Sequence, residues 1–255
     1  MNLSYRFYYV WRRNLAAYKR FVIPTLLISL GEPFFYLIAM GIGLGAYMGL
    51  FGGQSYIHFL ASGLIVASAM LTSTFECLYD SYVRMVLEKI WDALIATPLL
   101  AEDIIAGDIV WGMFRGVISG FLMYLVAALL GVLPVSPSIV LTLFVLMVLI
   151  GILFGSLAMI VTSFAPSFDF FNYYTELVVS PIFFFSGVFF PLDKMPEWIK
   201  FIANLFPLTH AVVIARATFD NQLNSGHWLN LLAIVAPMAV AFYLALFFMK
   251  RRLIK

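Results

Sequence analysis

A chain of 255 residues that is 64% hydrophobic and only 11% charged, with a mean hydropathy of +1.01, lies far from soluble domains, which are about 45–50% apolar and about 25% charged. It is predicted to be a polytopic membrane protein, which excludes a soluble fold. The net charge of +2 is uninformative about nucleic acid, and no basic cluster is large enough to suggest it; one cysteine, Cys77, excludes an internal disulfide and any multi-cysteine metal site.

Residues 3–20 are predicted to form an amphipathic interface helix. Leu3, Phe7, Val10, Trp11, Leu15 and Tyr18 recur at spacings of three and four, with Arg6, Arg13 and Arg20 elsewhere on the wheel. The apolar run that follows is too long for a signal-peptide core, so no cleavable leader is expected. Apolar runs at 21–47, 56–79, 109–133, 139–162, 170–190 and 228–249 each approach the ~20 residues that a spanning helix needs. The expected fold class is therefore an all-α membrane protein with six transmembrane helices, in one domain covering 1–255. In the first run Glu32 precedes Pro33, which should loosen the helix.

The stretch from Asp80 to Asp108 is the longest loop between runs and is rich in acidic residues. Within it Val86, Ile90, Trp91 and Leu94 follow helical spacing, with Glu88, Lys89 and Asp92 on other faces, which predicts a short helix over 86–96. Thr97-Pro98 reads as a stop and restart, Thr97 capping a helix that begins at Pro98. Such a helix suits docking to a cytoplasmic partner; the alternative is a solvated loop helix with Trp91 packed on the bundle.

From Pro181 to Arg216 a span begins and then fails: Pro191, Asp193, Lys194 and Pro196 interrupt it, and two short apolar pieces follow, separated by Pro207. Neither reaches the spanning length, and a segment that enters and turns back must satisfy its backbone against protein or water. Two re-entrant helices within 197–216 are expected.

Lysine and arginine set the orientation. With the N-terminus inside, Arg6, Arg12, Arg13, Lys19, Arg20, Arg84, Lys89, Arg115, Lys250, Arg251, Arg252 and Lys255 lie on the inner side and only Lys194, Lys200 and Arg216 on the outer. Both termini are expected in the cytoplasm, with the Pro181–Arg216 segment at the outer face. Among charges within spans, Arg115 and Glu176 come to similar depths, ~10 Å from the inner boundary, and are expected to pair; a proton relay through Glu32 and Glu176 is the functional alternative.

No G-x-x-x-x-G-K-[ST] phosphate loop is present. Leu50-Phe51-Gly52-Gly53-Gln54-Ser55 only echoes an ATPase signature, without its companion motifs. His58, His210 and His227 lack metal-ligand spacing, and no G-x-S-x-G occurs. The chain is not expected to be an enzyme or to hold a catalytic residue, a metal or a cofactor.

Two stretches carry a family resemblance. Glu88-Lys89-Ile90-Trp91-Asp92-Ala93-Leu94-Ile95-Ala96-Thr97-Pro98, with Asp103-Ile104-Ile105-Ala106-Gly107-Asp108 after it, is one. The other comprises Phe185-Ser186-Gly187-Val188-Phe189-Phe190-Pro191-Leu192, Met195-Pro196-Glu197-Trp198 and Phe206-Pro207-Leu208-Thr209-His210-Ala211-Val212. Over nearly its whole length the chain resembles the permease subunit of type-2 ATP-binding-cassette exporters, and within it the nodulation lipo-oligosaccharide exporters and their drug-efflux relatives.

The resemblance implies a half-transporter of the inner membrane: a second permease copy as a homodimer partner, two separate ATPase subunits that carry ATP and Mg, and surrounding lipid. It implies an ATPase-coupling helix at Val86–Ala96, with Glu88, Trp91, Asp92, Thr97 and Pro98 as coupling residues. It also implies outer re-entrant helices at Glu197–Phe206 and Leu208–Arg216, with Phe185, Pro191, Trp198, Pro207 and His210 at the exit gate. The cargo would be an amphiphile: a lipid-linked saccharide, a lipid or a drug-like molecule. The alternative is an ion-coupled secondary carrier that uses Glu32 or Glu176.

Overall fold

The computed structural model of the chain describes residues 4–48, 50–51 and 54–253, without the side chains of 28–30, 32, 48, 50 and 51. Glu32, as a side chain, therefore lies outside the described residues. Apart from one antiparallel ladder, Leu50 with Ser55 and Phe51 with Gln54, the described chain is helical.

Helix α1 (Phe7–Tyr18) precedes α2 (Val22–Tyr36), a π-helical stretch (Leu37–Leu44) and α3 (Gly45–Met48). Helix α4 (Tyr56–Phe75) continues through π-helical turns at Glu76–Asp80 and Val83–Leu87. The short α5 (Ile90–Ile95) leads to α6 (Ala101–Leu129) and α7 (Pro137–Phe164). Next come α8 (Asp169–Tyr174), a π-helical turn (Thr175–Val179) and α9 (Ser180–Phe185), then α10 (Glu197–Leu205), α11 (Pro207–Phe219) and α12 (Trp228–Leu253).

Among the described residues four helices are long and apolar enough to cross a membrane: Tyr56–Leu87, Ala101–Leu129, Pro137–Phe164 and Ser225–Leu253. The pair α10–α11, bent by 93°, would make a fifth if it counted as one span. The apolar runs at 21–47 and 170–190 do not fold into comparable helices. The first keeps its continuous apolar part only over Pro33–Tyr47. The other is divided by the Thr175–Val179 π turn and ends at Phe185, where Gly187 turns the chain at φ +79°, a backbone conformation that glycine adopts without steric cost.

Three local expectations need correction. The helix expected over 86–96 is split, because the extension of α4 runs to Leu87 and Lys89 takes a left-handed conformation (φ 52°) before α5 begins. Thr97 does not cap the next helix; its hydroxyl donates to the Leu94 carbonyl at 2.6 Å. Helix α6 starts at Ala101 instead of Pro98, with the Asp103 carboxylate accepting from the Leu100 amide at 3.3 Å. The acidic loop is thus shorter than its sequence suggests, and Glu102, Asp103 and Asp108 are buried residues of α6.

Helices α4, α6 and α7 form the centre. Gly112, Gly116 and Gly120 of α6 share one face at intervals of four, turned on α4. A methyl group at Gly116 would lie 2.6 Å from the Ala69 carbonyl oxygen, and one at Gly120 would lie 2.9 Å from that of Ile65. Small residues at such a seam let two backbones approach closely, which is how helices associate where lipid removes the hydrophobic drive. Both described ends of the chain lie at the same end of the bundle. There the Ser4 amide donates to Asp103 at 2.8 Å, Lys250 pairs with Glu102 at 2.7 Å, and Arg252 donates to the Ala165 carbonyl at 2.8 Å.

Candidate functional site: a buried charge network, two cavities and an exposed helix

The network sits where α4 passes into its π-helical extension, at the end of the bundle that holds both described ends of the chain. Glu76, Asp80 and Arg84 follow one another at intervals of four. The Glu76 carboxylate accepts from Trp111 Nε1 at 2.7 Å and from Arg84 Nη1 at 3.1 Å, and lies 3.3 Å from Arg115 Nε. Arg84 also reaches Asp108, Nε to Oδ2, at 3.2 Å. Asp108 accepts from Asn14 Nδ2 at 2.6 Å and from the Ser81 hydroxyl at 3.1 Å. The network therefore fastens α1 to α6 and to the lower part of α4. Tyr18 of α1 closes it, with Trp111 beside its ring and the Arg115 guanidinium 4.5 Å above the ring centre.

Arg115 thus meets Glu76 and not Glu176, which corrects the pairing expected from depth alone. Glu176 is exposed on the α8–α9 segment, beside exposed Leu177 and Val178. Depth along a helix sets height but not azimuth, and azimuth decided the partner. Asn14 was not singled out in the sequence, Asp108 stood out only within the family-like stretch, and Glu76 only as a charge near a span end that should find a partner; the signal for the network was the spacing of Glu76, Asp80 and Arg84.

Two cavities open on this network. One, about 260 Å³, lies between α1 and the α4 extension, lined by Arg13, Tyr18, Arg84, Glu88 and Trp111 among others. The second, about 480 Å³, runs up α4 past Thr72 and Ser68 to Pro33 of α2. Both are lined by Thr25, Glu76, Asp80 and Arg115, so the network forms a wall common to the two.

Beyond the network the chain presents α5. Trp91 is 1% exposed and packs in the core at this end of the bundle, with Ile104, Ile105 and Met249 in the same cluster. Its burial matches the alternative in which the tryptophan packs on the bundle. Glu88, Asp92, Thr97 and Pro98 are exposed, as are Val86, Leu87 and Ile95. The five residues singled out here are thus divided: four face outward and Trp91 anchors them.

At the far end a third cavity, about 410 Å³, is lined by His58, Phe59, Pro191, Lys194, Arg216 and Asp220 among others. Arg216, counted in the sequence as an outer-side charge at the end of a re-entrant helix, is inserted into the fold. Its Nη2 donates to the Gly187 carbonyl at 2.6 Å, and the guanidinium lies 3.6 Å over the Phe59 ring. It satisfies backbone that the broken segment leaves unpaired. His210 joins α10 to α12, one ring nitrogen 2.8 Å from Asn230 Oδ1 and the other 3.0 Å from the Asn204 carbonyl. Phe185 and Trp198 are exposed, and of the five gate residues only Pro191 lines this cavity. Among the described residues no group of His, Cys, Asp and Glu is placed to hold a metal ion.

A helical bundle with several helices long and apolar enough to cross a membrane defines the class: a multi-pass membrane protein. Comparison with known proteins specifies it further. The ABC-2 type transporter family matches residues 5–219. The chain is 36% identical over 245 residues to nodulation protein J of Sinorhizobium fredii (strain NBRC 101917 / NGR234), covering 96% of this chain and 93% of that protein. It is 35% identical over 258 residues to nodulation protein J of Bradyrhizobium diazoefficiens, covering 99% and 95%. It is 24% identical over 235 residues to the inner membrane transport permease YadH of Escherichia coli K12, covering 92% and 90%. The chain belongs to the ABC-2 type transporter family and is the permease subunit of an exporter, which implies an ABC ATPase subunit as its partner. The ion-coupled carrier reading through Glu32 or Glu176 gives way to this membership.

Proposed function

We propose that the protein crosses the inner membrane six times with both termini in the cytoplasm, pairs with a second copy, and moves an amphiphile outward under the drive of two ATPase subunits. The amphiphile is a lipid-linked saccharide, a lipid or a drug-like molecule. The lysine and arginine asymmetry supports the orientation. In this reading α2–α3 and α8–α9, despite their π-helical interruptions, are the first and fifth crossings, and α10–α11 is a re-entrant pair that lids the exit.

One observation carries the coupling assignment: α5 is held by a buried tryptophan while Glu88, Asp92, Thr97 and Pro98 face outward. A helix fixed at one point and exposed elsewhere passes a push from a docked partner into the bundle. ATP and Mg sit on that partner. ATP binding shifts α5, the shift reaches α4 and α6 through the charge network, and cargo leaves beneath α10–α11 beside Phe185, Pro191, Trp198, Pro207 and His210. Differential affinity of the two states for cargo makes the movement directional.

Copurification tests the docking face. Wild-type protein brings down an ATPase subunit encoded beside it, and Asp92→Arg, on an exposed position, abolishes this without lowering the amount of permease in the membrane. Full copurification with Asp92→Arg and undiminished ATP-driven export would refute the face.

A further inference from the structure

We propose that the cavity between α2 and α4 receives the polar head of the transported amphiphile, and that it accepts heads that donate hydrogen bonds while excluding anionic ones. The word "transported" rests on the exporter reading above; the site and its selectivity do not.

The cavity, about 480 Å³, has two kinds of wall. Leu71 and Phe75 supply an apolar side, and Thr25, Ser68, Glu76 and Asp80 a polar one. That division suits a molecule with a head and a chain. Acceptors make up most of the polar side, beside the Thr72 hydroxyl and the Arg115 guanidinium. The Thr25 hydroxyl donates its proton to the Phe21 carbonyl at 2.6 Å and the Ser68 hydroxyl donates to that of Leu64 at 2.6 Å, so toward any further group each oxygen acts as an acceptor. Tyr79 likewise donates outward, to Asn172 Oδ1 at 3.3 Å. Glu76 and Asp80 are carboxylates.

The cation in the wall, Arg115, is already engaged by Glu76 and the Tyr18 ring. A phosphate or sulfate entering here would face the Asp80 carboxylate, while Glu76 and the Arg115 guanidinium answer each other's charge. Hydroxyls or an ammonium group would instead find acceptors on several sides. The neighbouring 260 Å³ cavity balances Arg13, Arg84 and Arg115 against Glu76, Asp80 and Glu88, so the approach to the site has no net positive charge to draw an anion in.

Thiol protection tests the site in membrane vesicles. Wild-type protein sets the background, because its one cysteine, Cys77, is buried. In Thr72→Cys the new thiol lies in the cavity wall and reacts with a small maleimide; Phe75→Cys, at a half-buried position on the apolar wall, is a second reporter. Three probes with one chain length are compared: decyl maltoside, decylammonium and decyl phosphate. Decyl maltoside or decylammonium is expected to slow labelling about ten-fold or more, and whichever protects better tells hydroxyl recognition from ammonium recognition. Decyl phosphate is expected to leave labelling unchanged, and adding Asp80→Asn to let it protect. Equal protection by decyl phosphate in the unmodified background, or no protection by any probe at either reporter, overturns the proposal. Failure of an ATPase subunit to copurify would sink the exporter reading and leave these labelling results standing.

Discussion

Replacing Arg84 by methionine isolates the charge network, because the side chain keeps most of its length and loses its charge. Arg84 is 12% exposed and touches two carboxylates, Glu76 at 3.1 Å and Asp108 at 3.2 Å, themselves 6% and 1% exposed. Removing one member of a buried ion pair costs about 3–5 kcal/mol, because the remaining charge is left without its partner. Glu76 keeps Arg115 and Trp111, and Asp108 keeps Asn14 and Ser81, so the lower bound, about 3 kcal/mol, is the expectation. At about 2–4 °C per kcal/mol for a chain of this size, the midpoint of thermal unfolding should fall by roughly 6–12 °C. The assay is built into the protein: Cys77 is buried beside the network, so a thiol-reactive dye reports unfolding there directly. Lys200→Ala is the control. Its pair with Glu197 is exposed, and such pairs contribute little. A midpoint for Arg84→Met within 2 °C of wild type, with Lys200→Ala equally silent, would refute the view that the network holds this end of the bundle together.

Other outcomes follow from single contacts. Gly116→Val should sharply reduce the folded protein recovered from the membrane, because even a methyl there meets the Ala69 carbonyl at 2.6 Å; normal size-exclusion recovery would contradict the close α4–α6 seam. Trp91→Ala should remove about 3–5 kcal/mol of local packing and free α5, so that ATP hydrolysis by the copurified complex no longer responds to cargo; retained coupling would remove Trp91 from its anchoring role. Lys89→Gly should raise the unfolding midpoint by a few degrees, since a left-handed conformation costs a non-glycine residue roughly 1–2 kcal/mol; an unchanged or lower midpoint would count against the strained joint before α5.

The sequence was most readable where hydrophobicity is continuous. The runs at 139–162 and 228–249 became α7 and α12 with boundaries moved by a few residues, because nothing in them competes with a plain helix. It was less readable around 80–108, where charge suggested an exposed loop. Glu102, Asp103 and Asp108 are acidic yet buried, each held by a partner from a distant part of the chain: Lys250, the Ser4 amide and Asn14. Composition cannot supply those partners, because they are set by how α1 and α12 pack on α6. The broken segment was recognisable from its prolines, and Pro207 does open α11 after a sharp bend. The part played by Arg216 was hidden, since a lone arginine near a predicted helix end looks solvated until the carbonyls of Gly187 and Val188 are placed against it.

The π-helical turns of α4 have a counting consequence. Successive residues of a regular α-helix are about 100° apart, so seven residues return a side chain to within about 20° of its start, whereas eight leave it about 80° away. Glu76 and Arg84 are eight apart and still meet at 3.1 Å, because the turn at Glu76–Asp80, between them, takes up the surplus residue. Helix α4 is in effect a regular helix carrying a one-residue insertion, stored between its membrane-embedded part and the joint to α5. A deletion there would straighten the helix and still align the acid with the base, but the spare residue would be gone. The network is thus fixed in direction and slack in length.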